Sequence, residues 1–595
     1  MPIQTAPDEA SYRAGLVGLI LIGAVLRLVG LNWDEGRGLH PDESNLVRAA
    51  LSLSVPDQMI PSFHAYNDLA LWLPRLVAWP LCAAGEEACL TLVARALSAL
   101  VAVATIPVAA ALGRLLAGRW AGLGAAAAFA GSAPLVQWAH FGTTESVLVF
   151  LTVALWYLAA AWLAGRGNPQ RHVLGSAVLL GIGIGFKTTM LVLAVIPATA
   201  VILQGWPDRA RLRTITLGAL LVPLLGLATS PSILFATADW LNVMKFEADV
   251  VAGRLQVFWT AQFDTRPAGW FDARQLFSAM AGSGLVLAVA GLWVLPISAR
   301  RLALPGLALL LVYGAIYLGW HARFFRYLAP ILPILLILAG VGVGRAVSAC
   351  LPDVPTGSAP VLRMDASSGP KSQAERKIQT KADADNASRG RAEPRPPHRT
   401  LAALALAGLG WMILAGIDQA SIYLRTDPRI AGHAALIVRA APDDLVAIEP
   451  RDMAQTDGLA HILLPVHTPE VSHQALAAPL AEAQWLVIAS RRNWAVLPAR
   501  ADAPASLCAL YAGLGDGALG YVLAYRAHRP GLWGRFFVPG IAIEETRSVF
   551  DRPEVLVFRN EAGLAAGELE DRLADARSPQ DCAPSVLART LGLGP

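Results

Sequence analysis

A strongly apolar run, AGLVGLILIGAVLRLVGL at residues 14–31, is followed closely by Gly38-Leu39-His40-Pro41-Asp42-Glu43-Ser44. The run is long enough to cross the roughly 30 Å hydrocarbon core of a bilayer as a helix. Two adjacent carboxylates and a histidine therefore come just outside the first predicted span. Because carboxylates are costly to bury and well suited to accept a proton or hold a metal ion, this position indicates a functional site at one membrane face.

Composition places the chain among polytopic membrane proteins. Of its 595 residues, 55% are hydrophobic and 15% are charged, and the mean hydropathy is +0.49. A soluble protein of this length is far less apolar. The net charge of +4 is small, so nothing in it predicts nucleic-acid binding.

The five cysteines show no C-x-x-C pair and no zinc-like spacing, which argues against a redox motif or a structural zinc site. They are Cys82, Cys89, Cys350, Cys508 and Cys582. Cys508 and Cys582 are candidates for a disulfide if their domain lies outside the cytosol, and are otherwise two buried thiols.

Eleven segments are predicted to be membrane spans. They lie near residues 14–31, 91–112, 119–137, 146–164, 172–186, 189–204, 212–230, 277–297, 302–319, 327–344 and 399–417. Only Lys187 and Thr188 separate the fifth span from the sixth, which is typical of a tight helical hairpin or of a pair that does not fully cross.

Basic residues between the spans predict the orientation. They occur in alternate connections, at Arg114 and Arg119, Arg166 and Arg171, Arg209 to Arg213, Arg300 and Arg301, and Arg345. Because cytoplasmic loops carry an excess of Lys and Arg, these connections and the N-terminus are predicted to be cytoplasmic.

Residues 66–84 are also apolar, but Trp72-Leu73-Pro74-Arg75 interrupts them. A crossing there would put every later arginine cluster outside. Residues 32–90 are therefore predicted to form one large external loop with helices along the membrane surface.

The C-terminal part of the chain divides into a linker, a last span and a tail. Residues 351–398 are rich in Pro, Ser, Ala, Lys and Arg, which predicts a disordered basic cytoplasmic linker. After the span at 399–417, residues 420–595 show strand patterns at 444–448, 485–489 and 555–558 and helix patterns at 430–441 and 505–514. Eleven spans from a cytoplasmic start place this α/β domain outside the cytosol.

With this orientation, several polar connections meet on the external face, including the loop at 231–276. Asp42 fits a general base that takes a proton from an acceptor hydroxyl, with Glu43 positioning it or sharing a cation; alternatively, both are first-turn acids of a helix begun by Pro41. The 231–276 loop fits either a lid that contacts carbohydrate or an interfacial helix.

Four motifs of the membrane part resemble those of a known family. A first span followed by external His40-Pro41-Asp42-Glu43 resembles polyprenyl-phosphate-dependent glycosyltransferases of the GT-C class, in the family 39-like group of protein O-mannosyltransferases and lipid A aminoarabinose transferases. The later motifs are Thr143-Thr144-Glu145, Gly185-Phe186-Lys187-Thr188-Thr189 and Arg323-Phe324-Phe325-Arg326-Tyr327-Leu328-Ala329-Pro330.

The tail resembles the bacterial subgroup of the same family. The stretches that carry this likeness are Asp427-Pro428-Arg429-Ile430-Ala431, Trp485-Leu486-Val487-Ile488-Ala489-Ser490-Arg491, Glu544-Glu545-Thr546 and Asp551-Arg552-Pro553-Glu554-Val555. Arg552 stands where the family pattern has histidine, and Glu145 stands where aspartate is also common. The resemblance implies a GT-C membrane domain at 1–350 with about eleven transmembrane helices in the whole chain, and an extracytoplasmic α/β domain at 420–595.

The remaining site residues have a functional and a plainer interpretation. Glu145 and His40 fit an acidic site or a possible metal site. The alternative for Glu145 is an acid at a helix N-terminus that Thr143 or Thr144 caps. Lys187, Arg323 and Arg326 fit the phosphate of a lipid-linked donor, since fixed cations stabilise a growing phosphate charge. Snorkelling lysine and headgroup arginines of an aromatic belt are the alternatives.

Together these features predict an inverting hexosyl- or pentosyltransferase in a bacterial inner membrane. It would move sugar from a polyprenyl-phosphate-linked donor to an envelope acceptor on the extracytoplasmic face. Two or three carboxylates are compatible with Mg²⁺ or Mn²⁺, and the metal is left open. The competing function is a transporter or flippase of a lipid-linked saccharide, although internal repeats and midplane charges typical of transporters are not evident.

Overall fold

The computed structural model describes residues 8–205, 208–350, 396–468, 471–500, 502–534, 536–537, 540, 543–575 and 581–593. Residues 351–395 of the predicted disordered linker lie outside the described residues. The helix that follows it begins at Pro396, slightly before the predicted span at 399–417.

The membrane part is built from helices. They are α1 Glu9–Leu28, α2 Pro41–Leu51, α3 Asp68–Ala78, α4 Glu87–Ala117, α5 Arg119–Ala130, α6 Ala133–Ala139, α7 Glu145–Leu163, α8 Pro169–Phe186, α9 Val195–Leu203, α10 Arg209–Thr229, α11 Ser232–Phe235, α12 Thr237–Val251, α13 Trp270–Ala279, α14 Ser283–Trp293, α15 Ile297–Leu318, α16 Leu332–Ala349 and α17 Pro396–Ile422. Short 3-10 helices cover Thr188–Ala194, Phe258–Phe263 and Phe325–Leu328.

Among the described helices, seven are long and apolar enough to cross a membrane: α1, α4, α7, α10, α15, α16 and α17. The pair α13 and α14, bent by 95°, makes an eighth if it counts as one span. The predicted fold class, a polytopic helical membrane protein with a C-terminal α/β domain, is confirmed.

The three other predicted spans are helical but do not meet the same test, which finds seven or eight spans among the described residues by length and composition alone. Residues 119–137 divide into α5 and α6, and 189–204 divide into a 3-10 helix and the short α9. Helix α8 starts with the polar residues Pro-Gln-Arg-His. Helix α3 has only 11 residues, in agreement with the prediction that 66–84 does not cross.

Small residues let the central helices approach closely. A Cβ on Gly291 of α14 would lie 1.9 Å from the Leu338 carbonyl oxygen of α16, and one on Gly340 would lie 2.3 Å from the Ala125 nitrogen of α5. Close backbone contact of this kind drives helix association in lipid, where no hydrophobic force acts between helices. Buried Arg27 caps α5 by donating to the Phe129 and Ala130 carbonyls at 2.6 and 3.0 Å.

The tail folds around a five-stranded sheet. Its strands are β1 Leu445–Ile448, β2 Ala460–Leu463, β3 Trp485–Ile488, β4 Tyr521–Ala527 and β5 Val555–Asn560, in the order β2-β1-β3-β5-β4. Strand β1 is parallel to β2 and β3, whereas β5 is antiparallel to β3 and β4. The helices are α18 Pro428–Ile437, α19 His473–Glu482, α20 Ala505–Gly515, α21 Ala566–Ala574 and α22 Pro584–Thr590.

The tail docks onto the membrane part through buried polar contacts. The Asp551 carboxylate accepts hydrogen bonds from Gln137, Gln419 and Tyr423 at 2.9, 3.0 and 2.6 Å. Arg429 donates to the Leu39 carbonyl oxygen at 3.0 Å, next to the acidic loop. Buried charged hydrogen bonds of this kind lock two bodies in one register, because leaving either partner unpaired is costly.

Two disulfides lie in the parts that meet at this interface. Cys508 pairs with Cys582, one of the two alternatives drawn from the sequence, and Cys82 pairs with Cys89 between α3 and α4, which the sequence analysis did not anticipate. Disulfides persist in oxidising compartments, so both are compatible with a location outside the cytosol.

The predicted orientation can be tested with a single reporter thiol. Ser372→Cys, introduced on a Cys350→Ser background, should react with a membrane-impermeant maleimide only in inverted vesicles, because the linker is predicted to be cytoplasmic. Labelling is read by a mass shift of the intact chain. Reaction in sealed right-side-out vesicles would contradict the orientation.

Candidate active site

The motif His40-Pro41-Asp42-Glu43 folds as the start of α2. His40 is the N-cap, and its Nδ1 accepts a hydrogen bond from the Glu43 backbone N–H at 3.2 Å. Pro41 occupies the first turn, where its missing N–H costs nothing. The local structure is thus the helix start given above as the plainer alternative. The two carboxylates that follow nevertheless enter different surroundings.

Glu43 is fully buried in an ion cluster and does not line the cavity that Asp42 faces. Its two oxygens lie 2.8 and 2.6 Å from the guanidinium of Arg95, which also donates to the two Asp34 oxygens at 2.8 and 2.9 Å and to the Leu31 carbonyl oxygen at 2.8 Å. The Gly142 backbone N–H also donates to Glu43 at 2.6 Å. The predicted role of Glu43 beside Asp42 is therefore corrected: in this geometry it fastens α2 to α4.

His40 is buried between aromatic rings. The centroids of Phe141 and Phe550 lie 4.4 and 4.2 Å from its own. Burial lowers the pKa of His40 to about 3, so the ring is neutral at physiological pH. His40 lines neither of the cavities described below, which places it in helix capping and packing and not in the predicted acidic or metal site.

Asp42 faces a cavity of about 400 Å³ and forms an ion pair with Arg326. Six charged side chains stand on the mixed polar and apolar wall of this cavity, and we call it the polar cavity. Burial acts to raise the pKa of the carboxyl group, but the charge of Arg326, followed by weaker contributions that include Lys187, outweighs burial and holds the pKa below its usual range. Asp42 is therefore ionised and available to accept a proton.

Lys187 lies where α8 ends, on the walls of the polar cavity and of a second cavity. The chain is fixed there by Asn67, whose backbone N–H donates to the Phe186 carbonyl at 3.1 Å and whose side chain donates to Thr188 Oγ1 at 3.1 Å. The ammonium lies 4.6 Å from the Tyr66 ring centroid. Burial, together with Arg326, lowers the pKa of Lys187.

The second cavity, of about 360 Å³, is mainly apolar and opens beside the first. Glu145, the first residue of α7, is on its wall and is buried. The residues shared with the polar cavity are Ala65, Lys187, Glu247, Arg326 and Tyr327. Asp42, Glu145, Lys187 and Arg326 thus meet around one pair of adjoining cavities, as predicted.

Arg323 lies outside both cavities, in contrast to Arg326. Its guanidinium donates to the carbonyls of Trp320 and Arg266 at 2.7 and 2.6 Å and lies 3.2 Å from an Asp272 oxygen. Arg323 therefore stabilises the loops around it, and of the two arginines predicted to bind the donor only Arg326 lines the cavities.

The tail contributes residues that the sequence analysis did not assign to the site. Arg492, Glu545, Thr546 and Phe550 line the polar cavity. Neighbouring Glu544 accepts from Gln262 and from the Phe325 backbone N–H, at 2.7 and 3.0 Å, and so ties the tail to the turn that carries Arg326. The stretch Glu544-Glu545-Thr546 had been singled out as a motif, but no role could be read from it.

The long loop at 231–276, which is predicted to be external, supplies another wall. Glu247 on α12 and Trp259 line the polar cavity. Other polar residues of the loop point elsewhere: Arg254 pairs with Asp249 at 2.7 Å, and Trp270 is exposed. One part of the loop therefore lies on the cavity wall, where a lid would be, and other parts of it do not.

A divalent cation at this site stays a prediction. Among the residues that the structure describes, no group of three or more His, Cys, Asp or Glu side chains has the spacing to hold an ion. Asp42 is paired with Arg326, and Glu43 is paired with Arg95. No step below is routed through a metal.

Part of the chain matches a known protein family. Residues 89–233 match the family model described as dolichyl-phosphate-mannose-protein mannosyltransferase. The predicted family resemblance is confirmed for this segment. It includes α7 with Glu145 and the α8 end with Lys187, two positions on the cavity walls. A search of curated protein sequences finds no match.

Several solved structures share a loose overall likeness. ArnT from Cupriavidus metallidurans bound to undecaprenyl phosphate aligns with 92% of this chain and 98% of its own, at 13% identity and a TM-score of 0.46. The oligosaccharyltransferase of Archaeoglobus fulgidus aligns over 81% and 70%, at 12% and 0.46, and the mycobacterial arabinofuranosyltransferase AftD over 94% and 40%, at 14% and 0.39. These values are too low to assign a function to this chain.

Proposed function

We propose that this protein is an inverting glycosyltransferase that moves a sugar from a polyprenyl-phosphate-linked donor to an acceptor on the extracytoplasmic face of a bacterial plasma membrane. One observation supports this proposal above the others. A carboxylate, Asp42, and two cations, Lys187 and Arg326, stand where a polar cavity adjoins an apolar one. A donor with a charged phosphate between a sugar and a hydrocarbon chain has the same three-part chemistry.

The apolar cavity suits the first units of the prenyl chain. Its walls include Leu148, Met244, Val251 and Trp320, which offer hydrocarbon and ring surface for isoprene units. Lys187 and Arg326 at the junction would bind the phosphate. As the bond between the sugar and the phosphate breaks, negative charge grows on the phosphate oxygens, and fixed cations stabilise that growth.

The polar cavity suits the sugar and the acceptor. Asp42 takes the proton of the acceptor hydroxyl as its oxygen bonds to the anomeric carbon, and the electron pair of the broken bond leaves on the polyprenyl phosphate. A single displacement of this kind inverts the anomeric centre. Arg326 would be shared between Asp42 and the phosphate, so donor binding weakens the pairing of Arg326 with Asp42 and makes that carboxylate more basic when a base is needed.

The test of this function is donor consumption by the purified protein in lipid nanodiscs. A panel of labelled polyprenyl-phosphate sugars, with envelope extract as acceptor source, should yield free polyprenyl phosphate and labelled product for one donor. Absence of release with every donor, combined with movement of the labelled lipid across vesicles, would favour the flippase instead.

Lys187→Gln should lower turnover about ten- to a hundredfold, since a hydrogen bond to a charged group contributes roughly 1.5–3 kcal/mol. Gln is one atom shorter than Lys and still offers a hydrogen-bond donor, but it supplies no charge to the phosphate. Turnover is measured as release of polyprenyl phosphate. The matched control is Lys245→Gln on the exposed side of α12, which should match wild type. An equal loss of turnover in both variants would contradict the proposed role of Lys187 in phosphate binding.

A further inference from the structure

The largest of the cavities described here, about 570 Å³, lies between residues 256–259 of the external loop and the tail domain. This volume is in the range of small-molecule sites. The cavity is distinct from the apolar and polar cavities described above. Phe258 and Trp259 line both this cavity and the polar cavity that contains Asp42. A molecule bound here would therefore be next to the proposed reacting groups.

The tail presents this cavity at the edge of its sheet where ligands bind in open α/β folds. The loops after the parallel strands β1 and β3 carry Arg451 and Arg492, and the chain runs from β1 to β2 on one side before it returns to β3 on the other. A crevice at such a reversal is the usual ligand position. Arg451 faces the new cavity, and Arg492 faces the polar one.

Phe258 forms the wall between the two arginines. The guanidinium carbon of Arg451 lies 4.3 Å from the centroid of the Phe258 ring, and that of Arg492 lies 6.0 Å from it. Arg492 is committed to Glu545 at 3.0 Å, whereas the described residues give Arg451 no ion pair. Arg451 is also exposed, so its charge is available to a ligand.

The loop that carries Arg451 is held in an unfavourable conformation. Arg451 and Met453 have φ of 66° and 59°, in the left-handed region that non-glycine residues seldom adopt. Asp452 between them pins the loop by accepting from the Ala489 and Ser490 backbone N–H groups at 2.6 and 2.8 Å. Strain that persists because its surroundings enforce it is typical of ligand-binding positions.

Two other features of the wall point to a ligand. The His467 ring extends the aromatic wall, with its centroid 5.3 Å from that of Phe258. Trp259 and Phe258 offer flat apolar faces of the kind that pack on the C–H face of a sugar ring. Arg500 on the same wall is already neutralised by Asp502 at 2.8 Å, which leaves Arg451 as the charge that would select an anion.

We propose that this cavity binds the sugar acceptor through an acidic group, a phosphate or a carboxylate on a saccharide, held by Arg451. The proposal rests on the proposed glycosyltransferase function and deepens it by naming the acceptor class. The acceptor's sugar rings pack on Phe258 and Trp259, and its attacking hydroxyl passes this wall toward Asp42.

The first experiment measures binding alone, by ligand-observed saturation-transfer NMR on the full chain in nanodiscs. Glucose 1-phosphate and glucuronate should bind at least about tenfold more tightly than neutral glucose, as a charge-assisted hydrogen bond implies. Arg451→Gln should abolish this preference and Arg451→Lys should keep part of it. The control Arg439→Gln removes an exposed arginine that stacks on Tyr525 at 5.3 Å elsewhere in the tail, and should change nothing.

Lys187→Gln separates this cavity from the donor site, because it should leave the binding of both acidic sugars intact. Loss of binding in Lys187→Gln but not in Arg451→Gln would overturn the proposal while supporting a phosphate site at the donor cavity. Equal binding of glucose and its acidic analogues to wild type would also overturn it.

The second experiment links the cavity to transfer. Glucose 1-phosphate, but not glucose, should inhibit the release of polyprenyl phosphate that depends on envelope extract, and Arg451→Gln should lower that release while keeping the slow hydrolysis of donor by water. The acceptor role would be overturned if Arg451→Gln left the extract-dependent release of polyprenyl phosphate unchanged, or if wild type showed only hydrolysis and no extract-dependent release. If no donor is consumed at all, the transferase function fails, whereas charge-selective binding at Arg451 would still be observed.

Discussion

An Asp42→Asn variant is expected to fold normally and to lose transfer activity by about a hundred- to a thousandfold, the size typical of a removed general base or oriented charge. Asparagine preserves the shape of the side chain, the start of α2 and an oxygen for Arg326. It has no free carboxylate to take the acceptor proton. The measurement is single-turnover release of polyprenyl phosphate from the donor that wild type accepts.

The control is Asp57→Asn, an exposed carboxylate in the same external loop, which should retain full activity. The acid limb of the wild-type pH profile provides a second check. Because the charge of Arg326 outweighs burial and holds the pKa of Asp42 below its usual range, the base of the free enzyme stays ionised as the pH falls, and the acid limb of kcat/KM should lie below the range of an ordinary aspartate. A folded Asp42→Asn protein with wild-type turnover would eliminate Asp42 as the base.

Replacing Arg95 by Leu should have the largest effect on stability. The guanidinium is the only described ionic partner of both Asp34 and Glu43, and all three side chains are at most 1% exposed. Its loss leaves two buried carboxylates uncompensated, at a cost of about 3–5 kcal/mol in the free energy of unfolding. The thermal midpoint in detergent and the amount of folded protein in membranes report this loss.

The double variant Arg95→Leu with Glu43→Gln should recover part of the stability, because one uncompensated charge is removed. The contrast is Arg572→Gln on α21, which breaks a largely exposed pair with Glu568 and should cost less than about 1 kcal/mol. A wild-type midpoint for Arg95→Leu would show that the cluster does not hold α2 in place.

Hydropathy predicted most of the membrane helices, because a bilayer leaves the backbone few alternatives to an unbroken apolar helix. It overcounted complete spans where helices break, as at α5 and α6. In the tail, β1, β3 and β5 were predicted because buried strands read as apolar runs. Strands β2 and β4 lie at the sheet edges with much of their length exposed, so their sequence pattern is weak.

The site was predicted as a set of connections on one face, and Asp42, Glu145, Lys187 and Arg326 do line adjoining cavities. Asp42 and Glu43 enter different surroundings because Glu43 pairs with Arg95, a charge inside the predicted span at 91–112. An arginine in that position was a readable signal, since ionisable residues within spans are rarely unpaired. The choice between Arg323 and Arg326 depended on a 3-10 turn and on loop contacts that no sequence period encodes.

The polar cavity is closed by Arg492, Glu545, Thr546 and Phe550, which belong to the tail. A ribosome reaches these residues only after every membrane helix has been made. A nascent chain already embedded in the bilayer therefore carries Asp42, Lys187 and Arg326 without the wall that would retain a sugar beside them. If the protein has the proposed function, catalytic competence would then arise late in biosynthesis, once the tail has docked, and an unfinished chain would not lose lipid-linked sugar to hydrolysis.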